Sequence, residues 1–166
     1  MRQEFDLDCP VTKAHKSAAL ILLADDDEDD RLLTADALRI SRVGNHVKTV
    51  ADGEELMDYL YHRGKFAPDA SSPRPSLVLL DLNMPKKHGK EVLREMKSDP
   101  MLRSIPVVIL TTSQMETDVE ITYNLGANSF IVKPVTFDGL VRSMTVATEY
   151  WLRIVRLPTC VKKRSP

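Results

Sequence analysis

The chain has 166 residues, 43% of them hydrophobic, and a formal net charge of −1 at pH 7. That length suits one domain with short extensions and is enough to bury a core without disulfides or a structural metal. Near-neutral charge excludes a nucleic-acid binder working through bulk charge, and no apolar run approaches the roughly 20 residues a membrane span needs. The amino terminus has no apolar signal core, so a cytoplasmic location with neither membrane nor nucleic acid as partner is expected.

Residues 1–18 mix charge with a proline, show no periodicity, and read as a flexible lead-in. After them, apolar runs of strand length appear at Leu20–Ala24, Val47–Val50, Leu77–Leu80, Val107–Leu110 and Phe130–Val132. Most are apolar throughout rather than alternating, which predicts strands buried on both faces of a parallel sheet. Amphipathic stretches lie between them. Leu32, Leu33, Ala37 and Ile40 form one stripe, and Leu56, Met57, Leu60 and Tyr61 a second. Val92, Leu93 and Met96 form a third, opened by Gly89 and ended at Ser98-Asp99-Pro100; Val119, Ile121 and Tyr123 mark a weaker fourth, stopped by Gly126. The last helix is expected from about Thr136 to Arg156, with Val141, Met144, Ala147 or Thr148, Trp151 and Val155 along one side and Pro158 closing it.

Five β-α repeats joined by right-handed crossovers place helices on both faces of a parallel sheet. The organisation is then a lead-in of 1–18, a domain over 19–156 and a tail of 157–166. Cys9 and Cys160 sit in opposite tails without CxxC or His-rich spacing and are expected as free thiols, and Lys162-Lys163-Arg164 reads as a solvated end. One irregularity remains: Arg63 to Ser76 is a long Pro- and Ser-rich stretch before the third strand, and loops of that length are functional or mobile.

In open α/β sheets, ligands bind beyond the carboxyl ends of the strands. Asp25 and Asp26 follow the first strand, Asp81 and Asn83 the third, Thr111, Thr112 and Ser113 the fourth, and Lys133-Pro134 the fifth. Three carboxylates converging there repel one another unless a cation joins them, and Mg²⁺, a hard ion that takes oxygen ligands, suits such a site. Lys133 adds a compensating charge and Thr111 a hydroxyl donor. These are the parts of phosphoryl transfer, where catalysis is mostly positioning and charge neutralisation. Asp81 is the expected nucleophile, forming an acyl phosphate. A carboxylate needs no general base, and His15, His46, His62 and His88 are all expected as surface residues.

The segments ILLADDDEDD (21–30), LVLLDLNMPKKHGKEVL (77–93), IPVVILTTS (105–113) and NLGANSFIVKPV (124–135) resemble, in order and each at a strand end, the two-component response-regulator receiver family. The resemblance spans roughly Ala19 to Glu149 and implies a doubly wound (βα)5, flavodoxin-like three-layer α/β fold with strand order 2-1-3-4-5. It implies that Asp26 binds Mg²⁺ directly and Asp25 through water, with Mn²⁺ or Ca²⁺ as substitutes. Asp81 is then both phosphoacceptor and metal ligand, and Asn83 offers its backbone carbonyl. Thr111 and Lys133 contact the phosphoryl group, and Phe130 is the aromatic switch that turns inward as Thr111 moves. Asn83 and Ser113 hold positions that tune phosphate lifetime, and Thr112 departs from the usual small residue. Asp27, Glu28, Asp29 and Asp30 read as a helix first turn, where acids complement the dipole.

The Pro-rich loop, the double Thr and the Tyr150-Trp151-Leu152 ending resemble the single-domain regulators that pair with phytochrome-type sensor kinases. That implies a sensor histidine kinase as partner, a homodimer through the last helices, and a signalling domain rather than a turnover enzyme. The alternative is a haloacid dehalogenase-type phosphatase, whose D-x-D-x-[T/V] signature Asp25 and Asp27 begin but Asp29 breaks. A calcium-binding EF-hand at Asp25, Asp27 and Asp29 fails because Asp30 stands at the turn glycine and Asp36 at the bidentate Glu.

Overall fold

A computed structural model describes residues 19–41, 45–67 and 72–158. Their order is β1 Ala19–Ala24, α1 Glu28–Ile40, β2 Asn45–Val50, α2 Gly53–Tyr61, β3 Leu77–Leu80, α3 Gly89–Ser98, β4 Val107–Thr111, α4 Glu116–Asn124, β5 Ser129–Val132 and α5 Phe137–Glu149. The five strands are parallel, in the order β2-β1-β3-β4-β5. The expected lead-in and most of the expected tail, with Cys9, Cys160, His15 and the terminal basic run, lie outside the described residues.

The period-two alternation of a strand divides each central strand between two cores. Leu22, Val78, Leu80, Val107 and Ile109 face α2 and α3, where Leu56, Val92, Leu93 and Met96 are fully buried. Ile21, Leu23, Leu77, Leu79, Val108 and Leu110 face α1 and α5, against Ala37, Leu38, Leu140 and Met144. Strands buried on both sides explain the uniformly apolar runs. The outer strands β2 and β5 are more exposed, which explains the polar residues within β2.

Two helical stripes differ from expectation. In α1 the buried residues are Thr34, Ala35, Ala37 and Leu38, while Leu32, Leu33 and Ile40 are about half exposed. α1 packs closely on α5, and small residues allow that approach better than leucines do. In α4 only Thr122 is fully buried, and Ile121 and Tyr123 point outward. The last helix also ends differently. After Glu149 the chain makes one π-helical turn over Tyr150–Ile154, closed by Val155 N–H donating to Tyr150 O at 3.0 Å, and Val155 is extended. Trp151 and Leu152 still pack on the α1–α5 core.

The described parts of the long loop are docked. A 3₁₀ turn at Gly64–Phe66 buries Phe66 edge-on against Tyr59, and the Tyr59 hydroxyl donates to Pro73 O at 2.9 Å. Arg74 then donates to Met101 O and Ser104 Oγ.

Candidate functional site at the carboxyl ends of the strands

The ladder runs one residue past β1 and β3. Asp25 N–H donates to Val50 O at 3.2 Å and Asp81 N–H to Ala24 O at 2.9 Å, so both acids are held in sheet register. Asp25 and Asp81 are buried and Asp26 is exposed; carboxylate oxygens from the three lie within 4.8 Å of one another. Asp25 Oδ1 accepts from Asp27 N–H at 3.1 Å, and Asp81 Oδ1 from Leu82 N–H at 2.8 Å. Arg31 donates to the Asp25 carbonyl at 2.7 Å, tying α1 back to this turn.

Lys133 enters from β5, where its N–H donates to Thr111 O at 2.8 Å. Its ammonium lies 2.7 Å from Asp25 Oδ2 and 2.9 Å from Asp30 Oδ2, with the side chain 8% exposed. Burial pushes the Asp25 carboxyl above the usual carboxylate range despite Lys133, and the nearby Asp81 charge adds to that push. Burial works against the Lys133 ammonium too, but its bonds to Asp25 and Asp30 outweigh it and raise its pKa. Asp25, Asp26, Asp30 and Asp81 outnumber the Lys133 ammonium and the Arg31 guanidinium at this end of the sheet, so the cluster carries excess negative charge. A set of hard oxygen donors with unbalanced charge and this spacing fits a divalent cation.

Thr111 is the last residue of β4 and is fully buried; its hydroxyl oxygen accepts from Ser113 N–H at 3.3 Å. Thr112 is exposed and lines a cavity of about 330 Å³ with Asp30, Gln114, Lys133, Val135 and Phe137. Phe130 is half-buried and packs toward the α2–α3 core. Asn83 is exposed two residues past Asp81. The turn carrying it is braced from below. A Cβ on Gly89 would lie 2.3 Å from Asp81 O, and one on Gly53 2.2 Å from Lys87 O, so both close approaches require glycine. Lys86, with φ 62°, reaches Asp52 at 2.6 Å.

Asp25, Asp26, Asp81 and Lys133 therefore meet at the carboxyl ends of the strands, as expected, and Thr111 stands at the adjoining end of β4 with its carbonyl on Lys133 N–H. Asp27 caps α1 by accepting from Asp30 N–H, and Glu28, Asp29 and Asp30 form the first turn. The second role of Asp30, anchoring Lys133, escaped sequence reasoning because the two are far apart in the chain. His46 and His62 are exposed. His88 is not a plain surface residue: its Nδ1 accepts from Lys90 N–H at 3.3 Å, while Glu91 accepts from His88 N–H at 3.0 Å, a capping box for α3.

Residues 21–145 match the model of the response regulator receiver domain. The chain belongs to the response regulator receiver family. Response regulator Rcp1 of Synechocystis sp. is 40% identical over 139 residues, covering 84% of this chain and 92% of that protein. The crystal structure of the phosphorylated cyanobacterial phytochrome response regulator RcpA superposes with a TM-score of 0.80 at 43% identity, covering 86% of this chain and 100% of RcpA. The Mn²⁺-bound form of Rcp1 gives a TM-score of 0.77 at 39% identity, covering 85% of this chain and 99% of the other. Receiver domains take phosphoryl groups from histidine kinases and bind a divalent metal, so this is a regulatory domain of a two-component system. These similarities give no support to a haloacid dehalogenase-type phosphatase. No helix among the described residues is long and apolar enough to cross a membrane.

Proposed function

We propose that this receiver domain accepts its phosphoryl group on Asp81 and that the acyl phosphate changes which partners it binds. The observation that carries this reading is the grouping of the buried Asp81 carboxylate with Asp25 and Asp26, beside a buried Lys133. An Asp81 oxygen attacks phosphorus, the donor's bond to phosphorus breaks, and the Asp81 acyl phosphate forms. Lys133 leaves Asp30 to meet the phosphoryl oxygens, and the Thr111 hydroxyl donates to one of them. Asp25, Asp26 and Asp81, with the Asn83 carbonyl, would hold Mg²⁺, which when bound neutralises charge on the transferred group. Phe130 turns inward as Thr111 moves, and the domain acts as a cytoplasmic signalling component rather than a turnover enzyme. The segments 1–18 and 157–166 are extensions to the domain over 19–156.

The similarity to Rcp1 and RcpA supports a phytochrome-type histidine kinase as the phosphodonor. A homodimer through the last helices is supported by an apolar groove between β5 and α5 lined by Ile131, Val146, Ala147, Tyr150 and Trp151, with Val146 67% exposed. Val146→Glu should weaken association in sedimentation while leaving phosphorylation intact; unaltered association would remove the dimer from the proposal.

The central test is labelling with a small-molecule phosphodonor and Mg²⁺. One acid-stable, base-labile phosphoryl group per chain is expected, abolished by Asp81→Asn and by chelation of the metal. Equal labelling of Asp81→Asn would sink the assignment.

A further inference from the structure

The turn between β4 and α4 is held by a chain of polar contacts that starts outside the phosphoacceptor site, on α3 and α4, and ends on the Thr111 hydroxyl within it. Lys90, in the first turn of α3, places Nζ 2.5 Å from Asp118 Oδ1. The Ser113 hydroxyl donates to Asp118 Oδ2 at 2.5 Å, and Ser113 N–H donates to the Thr111 hydroxyl oxygen at 3.3 Å. Asp118 is largely buried, with its side chain 14% exposed, and it joins α3, α4 and the end of β4 at one carboxylate. Lys90, and after it Ser113, hold that carboxyl below the usual range, so it stays an anion at neutral pH.

The helix depends on these contacts. Met115 stands at the N-cap of α4 and offers no side-chain cap; its N–H reaches Ser113 Oγ at 3.4 Å instead. Across α4 only Thr122 is fully buried. A helix that buries so little apolar surface moves at small cost, and the polar chain at its start then decides where it rests.

We propose that Asp118 is a positioning residue whose bonds to Lys90 and Ser113 hold the β4–α4 turn and the Thr111 hydroxyl in their resting place, so that phosphorylation of Asp81 works against this latch. The proposal rests on Thr111 moving to the phosphoryl group, as set out above. A contact made only in the resting state weakens binding of anything that requires the other state, by the factor of its own equilibrium constant. Charge-assisted bonds that are partly exposed shift such an equilibrium by about five- to tenfold.

The probe is beryllofluoride with Mg²⁺, titrated into the full chain. Asp118→Asn and Lys90→Ala should each bind it about five- to tenfold more tightly. The charge-reversed pair Lys90→Asp with Asp118→Lys should return affinity toward that of the unaltered chain. A merely structural role for Asp118 would weaken binding instead. Unchanged or weaker binding by Asp118→Asn, or a reversed pair no different from the single variants, overturns the latch. If the unaltered chain does not bind beryllofluoride, the phosphoacceptor reading fails, and hydrogen exchange at the Ser113 amide decides the latch by itself. Exchange about tenfold faster in Asp118→Asn sustains it, and an equal rate overturns it.

Discussion

Lys133 and Asp30 meet at 2.9 Å although they are 103 residues apart in the chain, one just after β5 and the other in the first turn of α1. The ammonium is thus bound to Asp25 and Asp30 at rest, and on the proposed function the bond to Asp30 holds it back from a phosphoryl group on Asp81. Asp30 is 40% exposed, so the restraint is that of a screened pair, about 0.2–1 kcal/mol. Asp30→Asn should therefore speed phosphorylation from a small donor by about 1.5- to 5-fold, read from the time course of labelling. A slower rate would mean that Asp30 orients Lys133 rather than retaining it.

Gly89 tests how tightly the turn after Asp81 is built. In Gly89→Ala the new Cβ meets Asp81 O at 2.3 Å and Leu82 Cα at 2.7 Å, and both are backbone atoms that must shift. We expect a loss of about 2–3 kcal/mol and labelling of Asp81 at least about tenfold slower. Gly126→Ala is the comparison. Its φ of +99° carries strain, and the neighbour at 3.1 Å is the Lys97 side chain rather than backbone, at the far end of β5 from the site. That variant should lose about 1–2 kcal/mol with labelling unchanged. Thermal denaturation and labelling, run on both variants, separate the two effects; equal labelling in both would detach Gly89 from the site.

Asp52 gives the pH dependence. Burial disfavours its charge, but the bonds from Lys86 and from Glu55 N–H outweigh that and hold its carboxyl below the usual range. A depressed folded pKa contributes stability above the unfolded value of about 3.9, and the contribution is lost as pH falls from there through the folded value. Asp52→Asn keeps an N-cap acceptor for α2 and removes the charge. Its deficit in denaturant unfolding should be full at pH 7 and shrink below about pH 4. A deficit of the same size at both pH values would show that the charge contributes nothing.

The sheet and the strand-end acids were legible because both depend on local patterns. Apolar runs of four or five residues have one use in a doubly wound sheet, and the residue after each run lands at its carboxyl end. The helices were less legible where packing is close. In α1 the eye follows Leu32, Leu33 and Ile40, yet close approach to α5 selects Thr34, Ala35 and Ala37. Pairings across the fold were not legible at all. Nothing near Asp30 names Lys133, and nothing near Lys90 names Asp118, because an ion pair leaves no periodicity in a single chain.

The π turn at Tyr150–Ile154 has a consequence for whatever follows it. Each α-helical residue advances about 100°, so one residue added to a turn rotates the onward chain by that amount without unwinding α5. Length variation at this point steers the tail rather than severing it. The bearing on which residues 155–158 leave the domain is set by a count of residues, and a single deletion after Leu152 would swing it to a different azimuth while Trp151 and Leu152 kept their places on the core.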